Sequence, residues 1–482
     1  MSYASLREFL GAVEGIGELK TIRNADWNLE IGALTEWYAA QQKNPCLLFD
    51  RIVGYPEGYR VCTLYLASPN RTALALGMPL NEHPVRYVDR WRRRVRVSGS
   101  LPARDVKNGP VFENVDRGAD VNLLKFPAPQ WGETDGGRYI GTGSMVIVRD
   151  PDSDWVNAGV YRSMVHDEKT LGTYIATGHH GQTIAQRYWS QGKPCPIALT
   201  FGSEPSVWLA ASMGAAVGRN EFDLAGWIRE EPLDLVNLPI TGLPVPATTE
   251  IAVEGFMPPP SEKCRMEGPF PEWPGYLASS SRPEPIVEVQ AVYHRKDPII
   301  TGWRNVRPYL ENKGFPFVGA SIWDHLEVCG ITDVQGVWAY CNTLFVVISL
   351  RQQYAAHARQ ALVAAAGARG QSSVMRYFVT VDEDINICDM NEVMWALTTR
   401  VDPNTDIDFL RDTWTTEIDP IVHPDLKKQN NITGSKVLIN ACRPYSWRHS
   451  FPPANGASRE LMNRIVEKWA GEINSPDKTR GR

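Results

Sequence analysis

The chain has 482 residues, about three domains' worth at roughly 150 residues each, so a single small module is excluded. It is 43% hydrophobic and 22% charged, which excludes disorder over most of its length. Lys and Arg number 50 against 55 Asp and Glu, a net charge of −5 that disfavours a general polyanion binder but not a local basic patch. No apolar run approaches the ~20 residues of a membrane helix, and the start, MSYASLREFL, lacks the basic and apolar regions of a secretory signal. The eight cysteines (Cys46, Cys62, Cys195, Cys264, Cys329, Cys341, Cys388 and Cys442) are scattered with no C-x-x-C pair. That pattern suits a reducing compartment rather than a zinc ribbon or disulfide framework. The expectation is a cytoplasmic enzyme with neither a membrane nor a nucleic-acid partner.

The first hundred residues read as mixed α/β. Ser5 can cap a helix whose Leu6, Phe9, Leu10 and Val13 share one face, and Cys46–Phe49 is a short buried-strand candidate. Residues 81–97 look helical and hold six arginines (Arg86, Arg90, Arg92, Arg93, Arg94, Arg96). An anion-binding or nucleic-acid surface is one reading of that run; a solvated helix face or subunit contact is the stronger one. From about residue 115 to 310 the texture turns to β. Alternation over 144–149 and 155–165, separated by the turn cluster Asp150-Pro-Asp-Ser-Asp154, predicts a hairpin. Further strands are predicted at 197–200, 250–253 and 285–293, with a helical interruption over 170–190. After about residue 320 the order is strand (336–350), alanine-rich helix (353–366), strand (373–381), helix (391–399), which predicts a parallel sheet with crossover helices. The last dozen residues are polar and expected to fray.

Familiar signatures are missing. The chain has no phosphate loop, nucleophile elbow or H-E-x-x-H helix, and its Gly136-Gly137 and Gly141-Thr-Gly143 do not open a helix after a strand. Asp382-Glu-Asp-Ile-Asn386 starts like a calcium loop, but Ile387 and Val393 stand where Gly and Glu are required, so it reads as a strand exit. Three stretches remain. Glu267-Gly-Pro-Phe-Pro-Glu272 is a proline-stiffened loop displaying two carboxylates five residues apart, suited to positioned acid/base groups or to an ordinary surface turn. Asn157-Ala-Gly-Val-Tyr-Arg162 offers an Arg able to grip a carboxylate bidentately; alternation puts Asn157 and Arg162 on opposite faces unless the strand bends at Gly159. His179-His180 and Glu221, with the Asn157 amide, form an O/N ligand set suited to Mn²⁺ or Mg²⁺.

In this order, these stretches resemble the UbiD family of reversible decarboxylases that use prenylated FMN. The resemblance also rests on Val245-Pro-Ala-Thr-Thr-Glu250, Val381-Asp-Glu-Asp384, Trp395-Ala-Leu-Thr-Thr-Arg400 and Gly434-Ser-Lys436. It implies an α+β fold: an N-terminal α/β domain (1–115), a central split β-barrel that binds prenylated FMN (116–315), and a C-terminal α/β oligomerisation domain (316–482). It implies Arg162, Glu267 and Glu272 as catalytic residues and Asn157, His180 and Glu221 as ligands of Mn²⁺ or a similar ion, with K⁺ nearby. Val160, Tyr161, Arg162, His179, Ser212, Met213 and Lys436 complete the implied cofactor site. Ala176, His179, Trp273 and Asn440 would face the substrate, an aromatic or heteroaromatic acid that releases CO₂. A flavin prenyltransferase would supply the cofactor, and a homo-oligomer (dimer or hexamer) is implied. Pro271, Trp273-Pro274 and the run after Lys436 depart from the family's usual residues, which puts the substrate in doubt rather than the reaction.

Overall fold

The computed structural model describes residues 3–473 except 42, 98, 177, 278–279, 303, 306, 308–315, 342 and 369–373. Near the N-terminus, the Ser5 hydroxyl accepts from the Glu8 amide at 3.3 Å, and the helix Leu6–Gly15 buries Leu6, Phe9, Leu10 and Val13 as its spacing predicts. Leu19–Arg23, Cys46–Asp50 and Arg60–Thr63 make a sheet completed by Ile299–Gly302, a strand from far along the chain. The arginine run forms the helix Pro84–Arg96, and five of its six guanidiniums have partners within the protein. Arg90 pairs with Glu82, Arg92 and Arg96 pair with Asp324 and Glu327 on the helix Phe317–Val328, and Arg94 donates to the carbonyls of Leu76, Trp227 and Ile228. Arg92 also lies 4.3 Å from the Trp323 ring centroid. Arg92 and Arg94 are thus spent on internal packing, while Arg90, Arg93 and Arg96 pair with carboxylates at the surface, as the solvated-face reading expects.

Six strands form the centre, in the order Ile251–Met257, Cys195–Phe201, Arg138–Arg149, Val156–Asp167, Thr170–Tyr174 and Arg282–His294. Ile251–Met257 pairs with Arg282–His294 as well, closing the sheet into a barrel and leaving no open edge there. The predicted hairpin is present, with Val148 opposite Asn157. Thr170–Tyr174 is a strand rather than the start of a helix; the helix begins at His180 and runs to Trp189. Two further helices, Pro205–Met213 and Glu221–Arg229, pack over the Val156–Asp167 strand.

The C-terminal sheet runs Val334–Tyr340, Phe345–Leu350, Tyr377–Asp382, Thr433–Asn440, Ile407–Trp414. Its three inner strands are parallel, but both outer pairings are antiparallel, so the all-parallel expectation is corrected. The long strand expected over 336–350 is a hairpin. Two helices, Arg459–Lys468 and Ala470–Ile473, follow, and among the described residues no helix is long and apolar enough to cross a membrane.

Candidate active site

The Val156–Asp167 strand carries two clusters of charged and polar side chains. The first centres on Arg162. Its Nε and Nη2 donate to Glu267 at 2.9 and 2.8 Å, and its Nη1 donates to Glu272 at 2.6 Å. The three side chains are 8%, 1% and 13% exposed, so one cation and two carboxylates share a nearly dry space. Burial opposes the Arg162 charge, but hydrogen bonding to Glu267 and the two carboxylates outweigh it and hold the guanidinium firmly protonated. Glu267 ends the strand Cys264–Glu267, and Gly268 turns the chain at φ +83°, a conformation natural to glycine. The turn is braced by Gly136, whose amide donates to the Pro269 carbonyl at 2.8 Å. A Cβ at Gly136 would lie 2.0 Å from the Gly268 oxygen, so no other residue fits without moving backbone. Glu272 opens a second turn: its amide donates to the Tyr276 carbonyl at 2.9 Å and its own carbonyl accepts from Gly275 at 2.8 Å.

Two aromatic residues complete the cluster. Tyr139 is fully buried and its hydroxyl donates to Glu267 Oε1 at 2.8 Å. Burial and the Glu267 charge raise the phenol pKa, keeping Tyr139 a donor. Tyr174, opposite Arg162 in the sheet, lies between the guanidiniums of Arg162 and Arg282, each 4.5 Å from its ring centroid, and its hydroxyl donates to Glu417 at 3.3 Å.

Asn157 and Glu221 form the second cluster. Asn157 Nδ2 and the Ala158 amide donate to the two Glu221 oxygens at 2.9 and 3.0 Å. Asn157 Oδ1 is buried without a donor, and burial pushes the Glu221 pKa up to about 7 despite those hydrogen bonds. Tyr161 folds back over Gly159, where a Cβ would meet its ring at 2.6 Å. Burial and then the Glu221 charge raise its pKa. A Cβ at Gly181, the second residue of the His180–Trp189 helix, would lie 3.5 Å from the Tyr161 oxygen and 3.6 Å from Asn157 Oδ1. The positive end of that helix therefore sits beside the unfilled acceptor. His180 opens the helix with its ring 5.2 Å from that of Trp155, whose Nε1 donates to the Arg219 carbonyl at 2.9 Å, two residues before Glu221. Among the described residues no three His, Cys, Asp or Glu side chains converge as a metal cluster.

The strand keeps regular alternation from Val156 to Tyr161, without the expected bend at Gly159; the register shifts between Tyr161 and Ser163. Asn157 and Arg162 thus serve separate clusters. Val160 and Tyr161 lie between them, partly buried. Met213 ends the Pro205–Met213 helix and packs against the core, while Ser212 is exposed, its hydroxyl donating to the Leu209 carbonyl. His179 is exposed, its ring 5.7 Å from that of Tyr161, and its amide donates to the Ala176 carbonyl at 3.2 Å. Trp273 follows Glu272 and, with Pro274, Leu344, Val374, Arg376 and Ile421, lines a cavity of about 170 Å³ against the C-terminal domain. Lys436 is buried in the C-terminal sheet, its ammonium donating to the Met375 carbonyl at 3.2 Å and its pKa lowered to about 8 by burial. Asn440 lies four residues further along the same strand, about 13 Å away, its Oδ1 accepting from Thr380 and from the Cys442 amide. Sequence reasoning missed Tyr139 and Tyr174, which act through contacts distant in sequence and belong to no motif, and it gave no role to Trp155, which stands two residues before Asn157.

Residues 10–91, 104–308 and 317–441 match, in order, the N-terminal, Rift-related and C-terminal domains of UbiD, 3-octaprenyl-4-hydroxybenzoate carboxy-lyase. The pyrrole-2-carboxylic acid decarboxylase of Pseudomonas aeruginosa is 31% identical over 97% of this chain and 98% of its own. The UbiD-class enzyme HmfF from Pelotomaculum thermopropionicum, solved with FMN, superposes with a TM-score of 0.84 at 28% identity, covering 96% of this chain and all of that one. An evolved dimeric form of HmfF, solved with prFMN, gives a TM-score of 0.80 at 28% identity over 95% and 98% of the two chains. The vanillic acid decarboxylase of Sedimentibacter hydroxybenzoicus in its open form gives 0.83 at 26% identity, over 98% of this chain and all of that one.

Proposed function

The chain belongs to the UbiD family of carboxy-lyases, and on that premise we propose that it decarboxylates an aromatic or heteroaromatic acid with prenylated FMN, using Arg162, Glu267 and Glu272. The observation that carries the assignment of residues is the buried Arg162–Glu267–Glu272 trio. Two guanidinium nitrogens are committed to Glu267, so Nη1, now on Glu272, is the exchangeable one. The substrate carboxylate takes the place of Glu272 on that nitrogen, and Glu267 keeps the guanidinium plane oriented. Glu272, displaced from that nitrogen and carrying a proton, gives it to the carbon that has lost CO₂; the C–CO₂ bond breaks and a C–H bond forms. Prenylated FMN, when bound, supplies the electron sink that no side chain here provides. Carboxylation in the reverse direction would use the same groups.

Asn157 Oδ1, Glu221 and His180 are assigned to a divalent ion such as Mn²⁺, with K⁺ nearby. The support is a buried oxygen without a donor beside a buried carboxylate without a side-chain cation, among the described residues. The adjoining helix N-terminus suits the cofactor phosphate. Val160, Tyr161, Ser212, Met213 and Lys436 are assigned to the cofactor, and Ala176, His179 and Trp273 to the substrate side. Trp273 offers a broad face for a flat ring. Asn440 stays on the substrate side of this reading through its Nδ2, since its Oδ1 is engaged with Thr380 and Cys442.

The test is Glu272→Gln in protein loaded with prenylated FMN. The expected result is a turnover loss of about 10²–10⁴-fold, with loss of proton exchange at the reacting carbon and full flavin occupancy. Exchange at the wild-type rate would remove Glu272 from the proton-donor role.

A further inference from the structure

Glu267 receives a third hydrogen bond that the trio does not account for. Arg162 supplies Nε to Oε1 and Nη2 to Oε2, and Tyr139 adds its hydroxyl to Oε1 at 2.8 Å. The tyrosine is rigidly mounted. Its amide donates to the Pro129 carbonyl at 2.9 Å, its carbonyl accepts from Trp131 Nε1 at 3.1 Å, and its ring packs 4.4 Å from that of Phe270. Tyr139 and Glu267 are 0% and 1% exposed, so water does not compete for this bond. Glu272 differs. Its side chain is more exposed, and the turn it opens faces the cavity lined by Trp273.

The geometry points to Tyr139 as the positioning residue that makes Glu267 the fixed member of the trio, so that the incoming substrate displaces Glu272 and never Glu267. Both carboxylates share one guanidinium, and Tyr139 adds a buried hydroxyl donor to the one that already holds two of its nitrogens. The inference rests on the proposed roles of Arg162, Glu267 and Glu272. Tyr139 itself touches Glu267 and is not a catalytic residue.

The experiment combines Tyr139→Phe, Glu267→Gln and the double variant. Phenylalanine keeps the ring against Phe270 and removes only the hydroxyl. In loaded enzyme, Tyr139→Phe is expected to lower kcat roughly ten- to hundred-fold, the fold-change for losing one hydrogen bond to a charged group, with full flavin occupancy and KM changed by less than about twofold. In the Glu267→Gln background the same change should add no further loss. A second reading uses cofactor-free protein: the urea midpoint should fall on Tyr139→Phe in the wild-type background and fall less in Glu267→Gln. Multiplying losses, or equal midpoint shifts in both backgrounds, overturn the inference. A large loss in Glu267→Gln beside wild-type kcat in Tyr139→Phe overturns it alone. Wild-type turnover in Glu267→Gln overturns the roles of the trio, and this inference with them.

Discussion

The two clusters on the Val156–Asp167 strand are both buried and both contain carboxylates, yet they are electrostatic opposites. Around Arg162 one guanidinium satisfies two glutamates, and every partner comes from the protein. Around Asn157, among the described residues, a glutamate is held by neutral donors and the amide oxygen beside it faces no donor. Five residues, about 17 Å of strand, separate them. The first cluster is complete without a ligand; the second, on the proposed reading, would be finished by a cation from outside. A charged group taken out of water needs a partner, and the two clusters differ only in whether the chain supplies it.

Removing the partner from the complete cluster should do the most damage. Arg162→Met leaves two buried carboxylates without their cation, and urea denaturation is expected to show a stability loss of about 3–5 kcal/mol along with abolished turnover. A loss below about 1 kcal/mol would mean that the carboxylates relax into water and that the cluster is not closed in the way described.

The incomplete cluster should show its missing cation as a pH dependence. Burial lifts Glu221 from an ordinary 4.5 to about 7, so the folded state binds more protons than the unfolded state between those values. Stability of metal-free protein therefore falls as pH rises through that window and stays reduced above it, by about 3 kcal/mol at most. Denaturation of Glu221→Gln at pH 5 and pH 8 should lack this share of the slope, and Mn²⁺ should restore the wild-type protein at pH 8 while leaving the variant unchanged. Equal slopes in the two proteins would erase the contrast between the clusters.

A surface pair gives the baseline. Arg93 is 71% exposed and meets Asp89 at 2.9 Å on the Pro84–Arg96 helix. Arg93→Ala should shift stability by no more than about 0.5 kcal/mol, measured by the same denaturation. A larger effect would show that exposure is not what separates this pair from the buried ones.

Motifs made most of the charged and polar residues of both clusters legible, because Arg162, Glu267, Glu272 and Asn157 sit in unusual local sequences, whereas Glu221 stands in no such stretch and its role rested on the family resemblance. The supports of these residues were not legible. Tyr139 is one more aromatic residue in a strand until the chain brings Glu267 to it from 128 residues away. The barrel hairpin was readable from the Asp150–Asp154 turn cluster between two alternating runs. The break in residues 334–350 was not, because Cys341 and Thr343 take positive φ there, at +51° and +82°, in place of glycine. Residues 170–174 read as helix although they complete the barrel: a five-residue strand carries too few alternations to announce itself.

The turn that begins at Glu272 has a bearing on how such an enzyme can diversify. Its hydrogen bonds, Glu272 to Tyr276 and Gly275 to Glu272, run between backbone groups, so the side chains of Trp273, Pro274 and Tyr276 can change without loosening it. On the other side, Gly136 fits against the Gly268 carbonyl with no room for even a methyl group. Mutational freedom is thus unequal on the two flanks of the Glu267–Glu272 pair. One flank tolerates no change in volume, and the other can exchange a tryptophan for any residue that suits a new ring. A saturation library at residues 273, 274 and 276 is where altered acid preference should be sought, since the chemistry is anchored from the opposite side.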